Sequence, residues 1–299
     1  MSKKVLAIFY TQSGQLQDII DNFTAPFMDA GIPVEKVMIS PKKKFPFPWN
    51  SERFFDAMPE SVLAIPGELE SFQLRETAYD LVIFAYQPWF LSPSIPATSV
   101  LKHPSLIAVL KNTPVITLIG SRNMWLSAQE RVKQLLKEAG AKLVGNIVLA
   151  DQHNNFVSAV TMLHWMFGGK KDRYLNIFPK PGVSDAAIAQ TGTFGAMALQ
   201  RLQTGDWSSL QTELVHQKAV VVKSDLMFVE SRASRLFSIW ANMIIKKKNR
   251  KMWLVVFKYY LLIALFIVAP VVLLINNILF KPFLTGSINK KKQYYLALN

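Results

Sequence analysis

The chain has 299 residues, of which 51% are hydrophobic, and this is enough for one α/β core with an appended region. It contains no cysteine, so disulfides, thiolate metal sites and cysteine nucleophiles are excluded, and redox chemistry would require a bound cofactor. The formal net charge is +14. Basic clusters at residues 246–251 and 290–292 flank the most apolar stretch, which favours contact with anionic lipid over nucleic acid.

The first half of the chain alternates between strand-like and helical hydrophobic patterns. Short apolar runs predict buried strands over residues 5–10, 34–39, 81–85, 115–120 and 143–150. Between them, apolar residues at helical spacing predict helices that begin at Gln15 and cover residues 96–110 and 126–138, the last ending at Gly140. This alternation predicts an α/β fold with a doubly wound five-stranded parallel sheet in the order 2-1-3-4-5.

An insertion over residues 41–78 interrupts this alternation. It contains the run Phe-Pro-Phe-Pro-Trp at residues 45–49, in which the prolines exclude an interior strand and the aromatic residues argue against disorder. A connection of this length is usually either functional or disordered. We therefore expect a lid or a partner surface, and the alternative is a packed excursion that covers a sheet edge.

Beyond residue 150 the apolar spacing becomes helical, over residues 156–167, 184–202 and 226–245. We therefore expect a first domain over residues 1–150 and a helical extension over residues 151–250. The first ten residues have too short an apolar run for a signal peptide, which predicts that the main domain stays in the cytoplasm.

Residues 252–280 form an almost wholly apolar segment, interrupted by Lys258, Pro270 and two asparagines at 276–277. As a helix, its uninterrupted part would rise about 25 Å, against a hydrocarbon thickness of about 30 Å. We expect a transmembrane or re-entrant segment over residues 251–282, a basic tail over 283–299, and contact with membrane lipid through 246–292. Positive charge on both sides leaves open a span or a hairpin that returns to the cytoplasmic face of the inner membrane.

Ligands of doubly wound sheets bind beyond the carboxyl ends of the strands, where the winding reverses. Three loops meet there. The first offers hydroxyls and a helix N-terminus for a phosphate, the second offers aromatic rings for a planar ligand, and the third offers polar donors and a tryptophan. The candidate cofactor-binding residues are Thr11, Gln12, Ser13, Gly14, Gln15, Gln87, Pro88, Trp89, Phe90, Gly120, Ser121, Arg122, Asn123, Met124 and Trp125. The four histidines lack metal-ligand spacing, so no metal site is predicted.

These three loops resemble those of the flavodoxin and flavodoxin-like quinone reductase superfamily, over residues 3–150. The resemblance implies a flavodoxin-like fold and FMN as cofactor, with its phosphate on Thr11, Ser13, Gly14 and Gln15. Leu16 stands where the usual phosphate loop ends in a hydroxyl. Segments 10–15, 45–49, 120–125 and 165–173 also resemble the bacterial dialkylresorcinol condensing enzyme/aromatase (DarA-type) family.

The second resemblance implies an FMN-dependent enzyme of aryl lipid or pigment biosynthesis that aromatises a 2,5-dialkylcyclohexane-1,3-dione to a dialkylresorcinol. It implies a lipophilic small-molecule substrate, with a ketosynthase or acyl carrier protein as partner. Aromatisation removes two hydrogens, so a flavin that accepts hydride and a base that takes the ring proton are sufficient. His153, which follows the fifth strand, and Tyr86 are the candidate catalytic residues, and His164 is a further candidate base.

Other functions remain open on the sequence alone. A NAD(P)H-quinone-reductase-like flavoprotein or an electron carrier would share the cofactor, although carrier flavodoxins tend to be acidic and soluble. A flavin-free scaffold that holds a ketosynthase at the membrane is compatible with Leu16. FMN binding separates the scaffold from the other functions, and turnover of a cyclohexanedione separates the aromatase from an electron carrier.

Overall fold

The computed structural model describes residues 3–281 and 284–298. Its central sheet consists of β1 (Val5–Phe9), β2 (Val34–Met38), β3 (Leu81–Tyr86), β4 (Pro114–Ser121) and β5 (Lys142–Ala150). Adjacent strands pair in parallel, in the spatial order β2-β1-β3-β4-β5. The fold is therefore the predicted flavodoxin-like doubly wound sheet.

The helices of the soluble region follow the predicted pattern with two differences. They are α1 (Gln15–Asp29), α2 (Ser51–Asp56), α3 (Met58–Val62), α4 (Ile95–Leu101), α5 (Pro104–Leu110), α6 (Leu126–Glu138), α7 (Asn155–Gly168), α8 (Asp185–Thr204), α9 (Leu210–His216) and α10 (Ser224–Ile244). The helix predicted over 96–110 is two helices, because Pro104 starts a new one with His103 as its N-cap. Three short helices, α2 and α3 of the insertion and α9, were not predicted.

Helices cover both faces of the sheet, which explains why its strands are apolar without alternation. Leu6 and Ile8 of β1 face α4, α5 and α6, whereas Val5, Ala7 and Phe9 face α1, α8 and α9. On the second face, α8 packs against α1 as an additional layer. A Cβ atom at Gly195 of α8 would lie 2.0 Å from the carbonyl oxygen of Phe23, so this close approach requires glycine.

The insertion folds back onto the carboxyl end of the sheet. It contains α2 and α3, and the backbone N–H of Trp49 donates to the carbonyl oxygen of Met166 in α7 at 2.8 Å. The side chains of Phe45 and Trp49 pack against Trp89, with ring centroids 4.9 and 5.3 Å apart. The insertion thus forms part of the wall around the end of the sheet at which ligands bind in such folds.

One long apolar helix follows α10. It comprises α11 (Arg250–Ile263), a π-helical stretch (Ala264–Val268), α12 (Ala269–Ile275) and a second π-helical stretch (Asn276–Phe280). Among the described residues, Arg250–Leu279 is the one helix that is long and apolar enough to cross a membrane, as judged by length and composition. The final helix is α13 (Thr285–Leu296), and the predicted boundary at 282–283 lies outside the described residues.

Both ends of this apolar helix are joined to the soluble domain. At its start, the Arg250 guanidinium donates to Glu60 of α3 at 2.5 Å and to the carbonyl oxygen of Asp56 at 2.6 Å. At its end, the Lys281 ammonium lies 2.7 Å from Asp225 of α10. In α13, Tyr294 donates to Glu130 at 2.6 Å, and Leu296 accepts from Gln211 at 2.7 Å. The helix therefore runs along the domain.

Candidate functional site

A crevice of about 250 Å³ lies beyond the carboxyl ends of β1, β3 and β4. This is the switch point of the sheet, because β1 and β3 are adjacent in space but their connections leave in opposite directions. The predicted residues that line it are Thr11, Gln12, Ser13, Gln15, Gln87, Pro88, Trp89, Phe90, Gly120, Ser121 and Arg122. The structure thus brings the three predicted loops together around one cavity.

The loop between β1 and α1 has the features of an anion site. Gly14 has φ of 86°, a left-handed conformation that turns the chain into α1, and no side chain caps the start of that helix among the described residues. The first backbone N–H groups of α1 are free of intrahelical partners, and the helix dipole adds partial positive charge there. The Thr11 hydroxyl is buried without a hydrogen-bond partner in the part of the chain that the structure describes.

Two glutamines of the first loop hold neighbouring segments in place. The Gln12 amide donates to the carbonyl oxygen of Pro46 at 3.2 Å and accepts from the Trp49 indole N–H at 3.1 Å. Gln15 donates to and accepts from the backbone of Val183, at 3.2 and 3.3 Å. Both residues line the crevice, and their side-chain bonds fix the insertion and the start of α8 against the loop.

The second loop is a tight hairpin formed by the two-residue strands Pro88–Trp89 and Ser92–Pro93. Its turn residues Phe90 and Leu91 have positive φ, 50° and 61°. The hairpin places Trp89 and Phe90 on the crevice wall, where Phe90 packs 4.7 Å from Phe54 of α2. One side of the crevice is therefore aromatic, as a planar ring system requires.

The third loop contributes a close backbone approach and a cation. A Cβ atom at Gly120 would lie 3.3 Å from Leu16, and the Ser121 hydroxyl is buried with no hydrogen-bond partner within residues 3–281 and 284–298. The Arg122 guanidinium donates to the carbonyl oxygen of Asn155 at 3.3 Å. Burial lowers the pKa of Arg122 to about 10, and Asp151 opposes that shift. Arg122 therefore remains protonated at neutral pH.

Four predicted cofactor residues do not line the crevice. Gly14 forms the left-handed turn of the first loop, and Met124 lines a larger neighbouring chamber. Asn123 and Trp125 line a separate cavity of about 40 Å³. The Asn123 amide donates to the side chain of Asn155 at 2.9 Å, which ties the third loop to the start of α7.

The candidate acid–base residues also lie away from the crevice wall. Tyr86 is fully buried and donates to Gln129 of α6 at 2.9 Å, and burial raises its pKa well above the usual value. His153 is exposed, and its backbone N–H donates to Asp151 at 2.9 Å. Nε2 of His164 lies 2.7 Å from Asp172 on the outer side of α7.

Several wall residues were not among the sequence-predicted site residues. They are Leu16 and Ile19 of α1, Phe47, Trp49 and Phe54 of the insertion, and Met162, Trp165 and Met166 of α7. The aromatic density of the insertion was the available signal for its part. No local pattern marks the α7 residues, because their position depends on how the helical extension folds back over the sheet.

A larger apolar chamber adjoins the crevice. It has a volume of about 510 Å³ and lies between α7, α10 and the apolar helix. Six residues line both cavities, namely Phe54, Pro88, Phe90, Arg122, Met162 and Met166. The two cavities therefore share a wall, with Arg122 at their junction.

Among the described residues, no group of three or more His, Cys, Asp and Glu side chains is arranged to hold a metal ion. The polar groups at the crevice are hydroxyls, amides, backbone N–H groups and one guanidinium. Such groups bind anions and polar rings rather than divalent metal ions.

No protein-family model and no curated protein sequence matches this chain. Among solved structures, a flavoprotein in complex with FMN from Lactobacillus acidophilus NCFM is 15% identical, with a TM-score of 0.41 over 49% of this chain and 93% of its own. A putative flavoprotein from Bacteroides eggerthii DSM 20697 is 15% identical, with a TM-score of 0.40 over 50% and 89%. A flavodoxin from the domain Archaea is 8% identical, with a TM-score of 0.37 over 67% and 99%. Similarities this low say nothing about the ligand of this chain.

Proposed function

We propose that this chain binds FMN in the crevice and is a membrane-associated oxidoreductase that aromatises a 2,5-dialkylcyclohexane-1,3-dione to a dialkylresorcinol. The observation that carries the proposal is the crevice itself. It combines an uncapped helix N-terminus, an unpartnered buried hydroxyl, an aromatic wall and a half-buried cation at the switch point of a doubly wound sheet.

The residues at the crevice fit the parts of FMN. The first turn of α1, with Thr11 and Ser13, would hold the phosphate, because free backbone N–H groups and hydroxyls donate to its oxygens without a basic side chain. The Thr11 hydroxyl has no other partner within the described residues. Trp89 and Phe90 would flank the ring system from the hairpin.

Bound flavin would supply a two-electron acceptor, which the side chains of this chain lack. The substrate would lose two hydrogens, one as hydride to the flavin and one as the ring proton that the dione gives to water when it ionises, and would become aromatic. No carboxylate or imidazole lines the crevice within the described residues, whereas Arg122 does. Because a 1,3-dione ionises readily to an enolate, a fixed positive charge is what the site needs to hold it, and Arg122 is protonated at neutral pH.

The apolar helix supports the membrane part of the proposal. A helix of this length is about 45 Å long, and both of its ends pair with the soluble domain through Arg250 and Lys281. The side chains of Ile267 and Leu274 on its outer side are 61% and 62% exposed. We infer that the helix lies in the plane of the membrane surface with this side in lipid, and that both basic ends stay on the cytoplasmic face.

Anaerobic half-turnover tests the proposed reaction. We expect that mixing the FMN-loaded full chain with the dione bleaches the oxidised flavin absorbance and yields one equivalent of resorcinol per flavin. The dialkylresorcinol product serves as the control, because it carries the same chains but has no hydrogens to give and leaves the spectrum oxidised. An unbleached spectrum with the dione, at a concentration that perturbs the flavin bands, contradicts the proposed reaction.

A flavin-free scaffold is the second candidate, and Leu16 favours it. Leu16 is an apolar residue on the crevice wall next to Gly120, at a position where a hydroxyl would serve a phosphate. In that case the chain would hold a ketosynthase or an acyl carrier protein at the membrane. Failure to bind FMN, together with retention of such a partner on the membrane, distinguishes the scaffold from the oxidoreductase.

A further inference from the structure

The chamber next to the crevice is lined by the soluble domain on one side and by the apolar helix on the other. One side is formed by α7 and α10 of the soluble domain, with Met162, Leu163 and Ala233 among its residues. The other side is formed by the middle of the apolar helix, from Tyr260 to Val272. The chamber is thus enclosed between the domain and the helix that we place at the lipid surface.

The chamber is suited to hydrocarbon. Its walls are apolar apart from Arg122, Asn155, Arg232 and the tyrosine hydroxyl of the apolar helix. Arg122 lies at the junction with the crevice, and its guanidinium is bound to the backbone of Asn155. The guanidinium of Arg232 stacks on Phe228 at 3.4 Å and donates to its carbonyl oxygen at 3.0 Å. Polar contacts are therefore available where the chamber meets the crevice, and methylene contacts along its length.

The chamber has two ends. One adjoins the crevice, with which it shares the wall residues Phe90, Arg122 and Met166. The other faces outward between α10 and the apolar helix, where the wall residues Leu236 and Val268 are 45% and 48% exposed. A molecule in the chamber would therefore lie between the outer side of the domain and the crevice.

We propose that this chamber binds one alkyl chain of the lipophilic substrate, which passes from the bilayer between α10 and the apolar helix and places its polar ring at Arg122. The inference rests on the proposed function for the identity of the ring. The position of the alkyl chain follows from the geometry. The apolar chamber adjoins Arg122, so an alkyl substituent on a ring held at Arg122 would lie in the chamber. The occupant is a substrate chain rather than a structural lipid, because the chamber borders the crevice at Arg122.

Photolabelling locates the chain directly and needs no flavin. The full chain is placed in nanodiscs without added FMN, together with a 5-dodecylresorcinol that carries a diazirine in its chain, and the labelled residues are identified by peptide mass spectrometry. We expect labelling at Met162 and Leu163 of α7, which line the chamber. Excess unlabelled 5-dodecylresorcinol should reduce that labelling at least fivefold, and 5-methylresorcinol should not.

Two variants on α10 make the test specific. Ala233→Trp fills the chamber from its wall and should reduce labelling of Met162 and Leu163 at least fivefold. Ile239→Trp adds a similar volume on the same helix but outside the chamber, at a residue that is 64% exposed, and should leave the labelling unchanged. Near-ultraviolet circular dichroism of both variants checks that the fold is retained.

Other labelling patterns overturn the proposal. Labelling confined to the outer side of the apolar helix, at Ile267, Val271 and Leu274, would show that the chain stays in bulk lipid. Labelling of α7 that Ala233→Trp does not reduce, or that the long-chain competitor does not displace, would also contradict it. Labelling of α7 in a protein that fails to bind FMN would reject the proposed oxidoreductase but not the chamber.

Discussion

At the scale of single residues, buried hydroxyl groups without a hydrogen-bond partner are uncommon in folded proteins, and each indicates a missing ligand, a water or a local cost. Thr11 and Thr98 both have such a hydroxyl when partners are sought within the described residues. Thr11 lines the crevice. Thr98 lies in α4, which packs in the core against the sheet, and it does not line the crevice. Thr98 therefore provides the control for the proposed role of Thr11 in ligand binding.

Thr11→Val should weaken FMN binding by about 10-fold to 100-fold, because a hydrogen bond to a charged group contributes about 1.5–3 kcal/mol. The same change at Thr98 should leave the affinity unchanged, since valine fills a similar volume at both positions. Titration of the apoprotein with FMN, followed by quenching of flavin fluorescence, gives both dissociation constants. Equal affinities for the two variants and the natural chain would remove Thr11 from the phosphate site.

Arg122→Gln should weaken binding of the dione at least 10-fold, because the enolate loses its charged donor while the variant keeps an amide at the crevice. Arg232→Gln is the matched control, since Arg232 lines the chamber but is paired with Phe228. The measurement is the dione-induced change in the bound flavin spectrum. A loss in Arg232→Gln equal to that in Arg122→Gln would show a general effect of charge rather than a contact at the crevice.

At the scale of elements, α10 carries a buried carboxyl against the start of α6. Glu230 is 1% exposed and accepts from the backbone N–H of Ser127 at 2.7 Å. Its second oxygen, Oε2, is buried without a partner among the residues described. Burial raises the pKa of Glu230 to about 7, and the backbone hydrogen bonds at the start of α6 partly offset that rise.

This raised pKa predicts a pH-dependent stability. Between the ordinary value of a glutamate and pH 7, the folded chain holds a proton on Glu230 that the unfolded chain releases, so the contribution of Glu230 to stability is greatest at low pH and is lost as the pH rises. From pH 5 to pH 8 the free energy of unfolding should fall by roughly 3 kcal/mol relative to Glu230→Gln. Denaturant unfolding of both proteins across this range measures it, and parallel pH profiles would be the contrary result.

The apolar helix is the element whose placement was least accessible from the sequence. Hydropathy and flanking charge left a span and a re-entrant hairpin open. The structure adds pairs that are remote in sequence, Arg250 with Glu60 and Lys281 with Asp225. Both ends are bound to one domain, and the proposal that they stay on one side of the bilayer rests on this observation.

Single cysteines test this placement, and the absence of natural cysteine leaves no background. Lys248→Cys and Lys290→Cys introduce exposed thiols before and after the apolar helix, and Ser208→Cys marks the soluble domain. In sealed membrane vesicles, a membrane-impermeant maleimide should label all three from the same side. Labelling of Lys290→Cys from the side opposite to Ser208→Cys would instead establish a span.

The strands illustrate what a sequence determines on its own. Runs such as Val5–Phe9 and Leu81–Tyr86 are apolar throughout because both faces of the sheet are covered, and that pattern is visible locally. The split between α4 and α5 at Pro104 was also readable in principle, since proline and the residue before it disfavour a continuous helix. The loops after β1, β3 and β4 followed from the strand order, and the structure brings them together.

The remaining walls of the site depend on packing between distant segments. Met162 and Met166 reach the crevice because α7 folds over the carboxyl end of the sheet and binds the insertion at Trp49. Tyr86 was a reasonable catalytic candidate by position, but its side chain points into the core and binds Gln129. The direction of a side chain at a strand end is set by neighbours that no local pattern identifies.

At the scale of the whole molecule, one surface combines the crevice, the chamber and the apolar helix. The crevice and chamber share Arg122, and the helix forms the outer wall of the chamber. In the proposed function, this arrangement places the flavin site next to lipid, where an insoluble substrate is concentrated. The account depends on the crevice being a flavin site, since the other parts only deliver a substrate to it.

FMN binding to the detergent-solubilised full chain is the most direct test of that claim. The account predicts that added FMN is retained through gel filtration at one equivalent per chain, with a shifted visible spectrum that Thr11→Val weakens and Thr98→Val does not. A folded protein that passes through the column colourless, with no shift at saturating FMN, would contradict the account.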